Sequence, residues 1–538
     1  MAKSYSMITT KPQPKPQMVK DRPDQVKNSA GGFVYSLDKW SVLDRFLILG
    51  SESPTYYASA KTLTIQNAKN VIKLIEENGV KVVNRIVEIS SAGRAPKNSP
   101  ALFALALAIS VGDDATRKAA ADALPQVART GTHLFEFLNY TTTNRGWGRG
   151  LKRAVSQWYL GKTPDQAAYQ VVKYRNREGW SHRDVLRLSK PSTKDELMNG
   201  VFAYATGKPF DAVPAVITGF QAAQTANSKE LLKLIPEYNL TWEMLPDAAL
   251  KDVKVWEAMV ASKSLPLTAA LRNLGRMSAL NVSDQTVQLL VDMITNEDAL
   301  RKARVHPLAV LVALNTYRQG RGVRGSLTWT VNTKIVDALD KAFYLSFGSV
   351  EATGKRVLLA LDVSGSMSGG EIAGMTGVTP RIGSVAMAMV TAATEKNYEI
   401  VGFTSGSSRT QWGANYGAAI TALDVSPRRR LDDNIKTVSS LPFGGTDCAL
   451  PMIWAKENSK KFDAFVIYTD NETWAGNVKP DQALRDYRKS SGISDSKLIV
   501  VGMTATGFTI ADPKDSNMLD VVGFDTSAPQ IMSEFIRG

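Results

Sequence analysis

From Val357 to Ser368 the chain reads VLLALDVSGSMS, an apolar run that ends on Asp-x-Ser-x-Ser. A short run of Val, Leu and Ala that stops on oxygen-bearing residues reads as a buried strand delivering ligands to a loop. The run also marks a change of period. After Thr353, the segments RVLLALDV, YEIVGF, DAFVIYTD and KLIVVGM read as four buried parallel strands. RIGSVAMAMVTAATEKN and QALRDYRKSSG between them read as covering helices. Strands alternating with helices predict a doubly wound α/β domain whose ligands sit at the carboxyl ends of the strands.

Before that point the pattern is helical. LDKWSVLDRFLIL, LTIQNAKNVIKLIEENG, VKVVNRIVEISSAG and PALFALALAIS are amphipathic at helix length, and Gly79 and Gly93 stand where helices would end. Helix signals continue to VHPLAVLVALNTYRQG with no strand alternation and no fixed sequence period. Such a run of short-linked helices predicts an irregular, HEAT-like α-helical array, which tends to curve and present a concave surface. The first 30 residues hold Pro12, Pro14 and Pro16 among polar residues and lack apolar periodicity, so they read as a flexible tail. The expected division is tail 1–30, helical domain 31–350 and α/β domain 351–538. A chain of 538 residues agrees with more than one core, since single cores stop growing near roughly 250 to 300 residues.

Charge follows the same boundary. Of 65 Lys and Arg and 51 Asp and Glu, 19 and 21 fall from Glu351 onward, which leaves 46 and 30 before it. The helical part is therefore +16 and the α/β part −2, and the localised excess points to a polyanion such as nucleic acid. The single cysteine, Cys448, excludes an intramolecular disulfide. The absence of a long apolar run or a signal-like leader makes a cytoplasmic protein with no membrane partner the expectation.

Three loops of the α/β part carry oxygen donors: Asp362, Ser364 and Ser366 after the first strand, Thr446 and Asp447 in LPFGGTDCALP, and Asp470 after DAFVIYTD. A hard divalent cation, Mg²⁺ first, accepts carboxylate, hydroxyl and water oxygens, whereas zinc would call for Cys or His. Standing alone, Asp-x-Ser-x-Ser is also a turn and N-cap sequence. Ser364 replaces the second acid of an aspartyl-phosphate motif, no P-loop occurs, and no residue is placed as nucleophile or general base.

In KYRNREGWSHRDVLRLSK, Lys173, Arg175 and Arg177 are expected in the last turn of one helix, which Gly179 breaks. Ser181 and Asp184 then cap the next. Arg183, Arg187 and Lys190 follow at helical spacing. Six cations with Trp180 and His182 between them suit the phosphates of structured RNA; a solvated basic face with Trp180 as a core anchor explains the same residues.

Asp362, Ser364, Ser366, Thr446 and Asp470 resemble the metal-ion-dependent adhesion site of von Willebrand factor A domains, which implies binding of a partner through the metal and not an enzyme. The longer strings GGTDCALPMIW, YTDNETWAG, LIVVGMT and GFTIADP resemble the Ro 60 kDa autoantigen family, in which a TROVE module precedes such a domain. FLILGSESPTYY, THLFEF, GWGRGLKRA, LPLTAALRNLG, VHPLAVLVALNTY and GRGVRG extend the resemblance, of a bacterial type, through the helical part. It implies a helical ring that binds Y-like noncoding RNA on its outer surface, where the family's contact positions match Lys173, Arg177 and Lys190, the last replacing a family histidine; Arg175, His182 and Arg187 are assigned to the same surface from the charge reading above. It also implies a central hole for single-stranded 3′ ends of misfolded RNA. Arg149, Lys152, Arg153, Arg272, Arg276, Arg321 and Arg324 are the cations assigned to that hole by charge and motif density. A role in RNA quality control follows, with an exoribonuclease such as polynucleotide phosphorylase as partner and a monomer that assembles only on RNA. A metal-dependent protein scaffold without direct RNA binding is the alternative.

Overall fold

The computed structural model describes residues 16–51, 60–144, 146–323, 325–348, 350–372, 375–405, 419–441, 444–522, 524 and 527–538. Two short strands, β1 (Gln25–Lys27) and β2 (Phe33–Ser36), pair antiparallel before the first helix, Lys39–Leu49. The helices then follow one another to Thr333–Leu345, each packed on its near neighbours in the chain. Local sequence sets their ends. Thr163 with Gln166, Ser181 with Asp184 and Asn227 with Glu230 form reciprocal capping boxes.

Gly93 takes the left-handed conformation at a helix end, as its position implies. Gly79 does not. The helix Ala60–Ala92 is kinked at Asn78, and the lack of a side chain at Gly79 admits Thr116, whose Oγ1 would lie 2.2 Å from an added Cβ. One hairpin interrupts the array: β3 (Asn176–Arg177) and β4 (Trp180–Ser181), joined by Glu178 and Gly179. Both turn residues have positive φ, 51° and 76°, the type I′ geometry that suits a two-residue hairpin.

The α/β domain is built on β5 (Arg356–Asp362), β6 (Asn397–Phe403), β7 (Ile420–Ala422), β8 (Ala464–Thr469), β9 (Lys497–Gly502), β10 (Phe508–Thr509) and β11 (Met518–Val522). Its six-stranded sheet runs β11-β9-β8-β5-β6-β7, parallel except for the edge strand β7. The four expected strands are present at the centre. β5 and β8 are buried almost throughout, as strands covered on both faces must be. The two added strands lie at the edges. MLDVV keeps Leu519 and Asp520 only partly buried, so it lacks the continuous apolar run that marks its neighbours.

Part of the expected tail is instead a strap on the α/β domain. The amide of Gln17, 1 % exposed, donates to Asp447 Oδ1 and the Val478 carbonyl, both at 2.7 Å, and its oxygen accepts from Thr473 at 2.6 Å. Asn28 donates to the Thr473 carbonyl at 2.8 Å, and β2 pairs with β10. Apolar periodicity misses this segment because buried amides hold it, not an apolar face. Residues 1–15, including Pro12 and Pro14, lie outside the described residues.

Both ends of the helical array rest on the α/β domain. Arg45, 1 % exposed, reaches the Thr506 and Phe508 carbonyls and Asp520. At the other end Arg318 pairs with Asp432 at 2.7 Å, Arg430 with Asp337 at 2.8 Å, and Asp340 accepts the Leu431 N–H. The chain thus closes on itself through its second domain.

Candidate metal centre and nucleic-acid interface

β5 and β8 lie side by side, so the residues after them meet at one end of the sheet. Asp362 Oδ1 accepts the Ser364 N–H at 2.9 Å, and its Oδ2 accepts the Thr469 hydroxyl at 2.7 Å. The Ser364 and Ser366 hydroxyls stand 3.1 Å apart. Gly365 N–H reaches the Gly444 carbonyl, and the Thr446 carbonyl accepts from Trp474 and Ala475, which draws the third loop alongside. Asp362, Ser364, Ser366, Thr446 and Asp470 are all at most 4 % exposed.

Burial pushes the Asp362 carboxyl up. It raises Asp470 to about 8, helped by the charges of Asp362 and Glu472, while hydrogen bonding to Ser366 acts the other way. Two buried carboxylates that repel each other, beside two hydroxyls, form a donor set that fits a hard cation, whose charge would remove both the desolvation cost and the repulsion. Among the described residues no group of three His, Cys, Asp or Glu could hold a metal, so the hydroxyl donors are essential to this fit.

Asp447 does not join the set. Its Oδ1 accepts from Gln17 and from the Ala449 N–H, which makes it an anchor of the strap. Arg381 is a neighbour that motif reading passes over. It is 2 % exposed at the start of the helix Pro380–Thr394 and donates to the carbonyls of Val363 and Ser364. Its signal is a lone Arg at the head of an apolar helix, RIGSVAMAMV, where burial demands a purpose for the charge.

The basic junction differs from its expected form. The helix Pro164–Lys173 ends at Lys173, so Arg175 lies in the connection just before the hairpin and Arg177 in its first strand, neither in a last helical turn. Arg175 and Arg177 are exposed, as are Arg183, Arg187 and Lys190 along and after the helix His182–Ser189. The Lys173 side chain is only 8 % exposed. Its Nζ donates to Tyr169 Oη at 2.9 Å and lies 3.9 Å from Glu243. His182 is a core residue, 3 % exposed, with Nδ1 2.7 Å from the Tyr159 hydroxyl and Nε2 3.2 Å from the Gln170 carbonyl. That carbonyl can only accept, so Nε2 carries the proton and the ring is neutral, and burial lowers its pKa to about 4. It cannot meet a phosphate. Trp180 packs on Trp147 at 5.8 Å between centroids, as an anchor of the hairpin.

Arg149, Lys152 and Arg153 are exposed on the helix Arg149–Leu160, directly after Trp147. Ser156, one turn beyond Lys152, donates to the Ser189 carbonyl at 3.0 Å. These contacts join the trio to the hairpin side of the array. Arg272 and Arg276 are exposed on the helix Leu267–Ala279, lining a separate cavity of about 610 Å³. Arg321 lines an adjoining cavity of about 450 Å³, and Arg324 lies outside the described residues.

Residues 26–316 match the TROVE domain and residues 356–536 the Ro60 vWA domain. The chain belongs to the Ro60 family. It is 41 % identical over 522 residues to the RNA-binding protein RO60 of Deinococcus radiodurans, covering 96 % of each chain. It is 36 % identical over 604 residues to the RNA-binding protein RO60 of Caenorhabditis elegans, covering 97 % of this chain and 91 % of the relative. The crystal structure of the Deinococcus radiodurans RO (RSR) protein superposes with a TM-score of 0.69 at 40 % identity, over 93 % of this chain and all of that one. Fold and family agree with the resemblance in the sequence; in this Ro60 member the TROVE match begins within the strap, at Val26.

Proposed function

We propose that this protein binds RNA through its helical domain, without chemistry on the RNA, and serves as a scaffold in RNA quality control. The observation that carries the reading is the hairpin junction, where Arg175, Arg177, Arg183, Arg187 and Lys190 are all exposed on a domain of net charge +16. The two relatives named RNA-binding proteins support it. Exposed guanidinium groups on a rigid hairpin and a capped helix offer phosphate contacts in fixed positions, which favours a folded RNA such as a Y-like noncoding RNA. Single-stranded 3′ ends would engage a second set of cations, and an exoribonuclease such as polynucleotide phosphorylase would act on RNA held there.

In the same reading Asp362, Ser364, Ser366, Thr446 and Asp470 hold a divalent cation, Mg²⁺ by donor type. Bound there, the cation supplies a positive charge that a partner's carboxylate can complete. Arg381 fixes the loop carbonyls, and Thr469 fixes the Asp362 carboxylate.

The test is fluorescence anisotropy with a folded Y-like RNA at two salt concentrations. The reading expects affinity to fall steeply as salt rises, because phosphate contacts release counterions. Binding that is absent at low salt would leave the protein-scaffold alternative.

A further inference from the structure

Two of the three loops that carry the metal donors are tied to the strap at the start of the chain. Thr446 stands between the helices Leu431–Ser439 and Leu450–Glu457, and Asp470 follows the end of β8, so neither donor sits on a regular element. Gln17 meets both loops at once. Its amide donates to Asp447 Oδ1, next to Thr446, and its oxygen accepts from Thr473, in the loop that begins at Asp470. Asn28 donates to the carbonyls of Thr473 at 2.8 Å and Asn471 at 3.3 Å, and the Ala30 N–H donates to Glu472 Oε2 at 2.9 Å. Each of the three residues after Asp470 therefore has a partner in the strap.

This seam is built to exclude water. Gln17, Asn28, Asn471, Glu472 and Thr473 are at most 4 % exposed. Glycine admits the close approach: a Cβ added at Gly32 would lie 1.9 Å from the Thr473 carbonyl oxygen, and one at Gly476 would lie 2.3 Å from both Asp447 Oδ1 and Gln17 Nε2. Asn28 Oδ1 accepts the Gly32 N–H at 2.7 Å, so one side chain fixes both the strap's own turn and the loop beneath it. The remaining metal loop, after β5, has anchors inside the α/β domain, in Thr469 and Arg381.

We propose that the strap is an outer clamp of the metal centre: Gln17 and Asn28 are positioning residues that hold the loops of Thr446 and Asp470 where a cation can use both, and a bound cation in turn holds the strap down. The inference rests on the metal reading above and adds a reciprocal link between the cation and the segment that leads through β2 into the helix Lys39–Leu49. A small hard cation demands near-octahedral donors, so its affinity depends on where the backbone sets each loop. Partners that orient metal ligands from outside contribute because they fix that geometry in advance. Linkage then requires the cation to stabilise strap docking by the same factor by which docking strengthens cation binding.

The experiment measures Mn²⁺ binding to the full-length protein through the loss of the free-ion electron paramagnetic resonance signal, since Mn²⁺ shares the oxygen-donor preference of Mg²⁺. Gln17→Met keeps the length of the side chain, removes its hydrogen bonds to both loops, and is expected to weaken Mn²⁺ binding about tenfold. Arg22→Gln controls for strap stability alone, because Arg22 pairs with Asp24 and Asp512, residues of neither loop, and it should leave the affinity unchanged. A second measurement needs no strap variant. Trypsin cleavage at Lys20 and Lys27, both exposed in the strap, should slow about tenfold when the wild type is saturated with Mn²⁺ and should not respond in Asp362→Ala. If the wild type takes up no Mn²⁺ at millimolar concentration, the metal reading fails and the clamp with it. If it binds Mn²⁺ through Asp362 but Gln17→Met binds as tightly, or cleavage ignores the ion, the clamp alone is overturned. Equal loss of affinity in Arg22→Gln and Gln17→Met also overturns it, since general loosening of the strap would then account for the effect.

Discussion

Lys173 and Arg177 bear the same charge four residues apart, and the fold sets them in opposite environments. Lys173 lies between Tyr169 and Glu243, with rings of Tyr169 and Tyr174 within 5.4 Å of its Nζ, whereas Arg177 is 62 % exposed on the hairpin. Lys173→Ala should therefore cost about 1 kcal/mol of stability through lost packing, and Arg177→Ala less than about 0.5 kcal/mol. Arg177→Ala should still reduce RNA affinity and lower the salt slope by about one. Urea midpoints and salt titrations of the two single variants separate these effects.

His182 yields a pH prediction at the same scale. Its folded pKa, about 4, is below the ordinary 6.5, and His133 is held at about 4 by burial in the same way. A depressed histidine stabilises the fold above pH 6.5, and that stability is lost as pH falls from 6.5 towards 4. Each should cost about 2 kcal/mol between pH 7 and pH 5. Urea midpoints at the two pH values should show that His182→Phe removes about half of this loss, relative to its own stability at pH 7. The sequence displayed the cations of the junction but not which were spent internally, because the acid that faces Lys173, Glu243, and the hydroxyl that meets His182, from Tyr159, are not their neighbours along the chain.

At the scale of elements, the metal loop is a product of strand order. Asp362 and Asp470 are over 100 residues apart and meet because β5 and β8 are parallel neighbours. Apolar runs made this legible: RVLLALDV and DAFVIYTD each announce a buried strand and end on an acid. Less legible were β11, whose run is broken by Asp520, and the strap, whose anchors Gln17 and Asn28 carry no periodic signal.

If the loop binds Mg²⁺, millimolar cation should raise the melting temperature of the wild type and leave Asp362→Ala unmoved. Saturation a hundredfold above the dissociation constant corresponds to about 2.7 kcal/mol. The shift should be larger at pH 8.5 than at pH 6. Asp470, raised to about 8, keeps its proton at the lower pH, and the cation must displace it. Gln17→Ala leaves Asp447 and Thr473 each short of a buried hydrogen bond and should lower the urea midpoint by an amount equivalent to about 1 to 3 kcal/mol.

At the scale of the molecule, charge and connectivity divide the labour. The helical domain holds all of the positive excess, and the α/β domain, near neutrality, receives both ends of the array through Arg45 and Asp520 on one side and Arg318 and Asp432 on the other. Helical content and the charge boundary were visible in the sequence, since both follow from residue type and spacing. Closure was implied by family resemblance alone, because the polar pairs that make it are far apart along the chain, 475 residues for Arg45 and Asp520 and 91 for Asp340 and Leu431.

The central claim is that the exposed cations of the hairpin junction bind RNA. It is tested most directly by the salt dependence of affinity for a folded Y-like RNA, comparing the wild type with Arg175→Gln/Arg177→Gln/Arg183→Gln/Arg187→Gln. The account predicts a binding slope shallower by roughly three to four in the variant, with an unchanged melting temperature. An equal slope and equal affinity in the two proteins would contradict it.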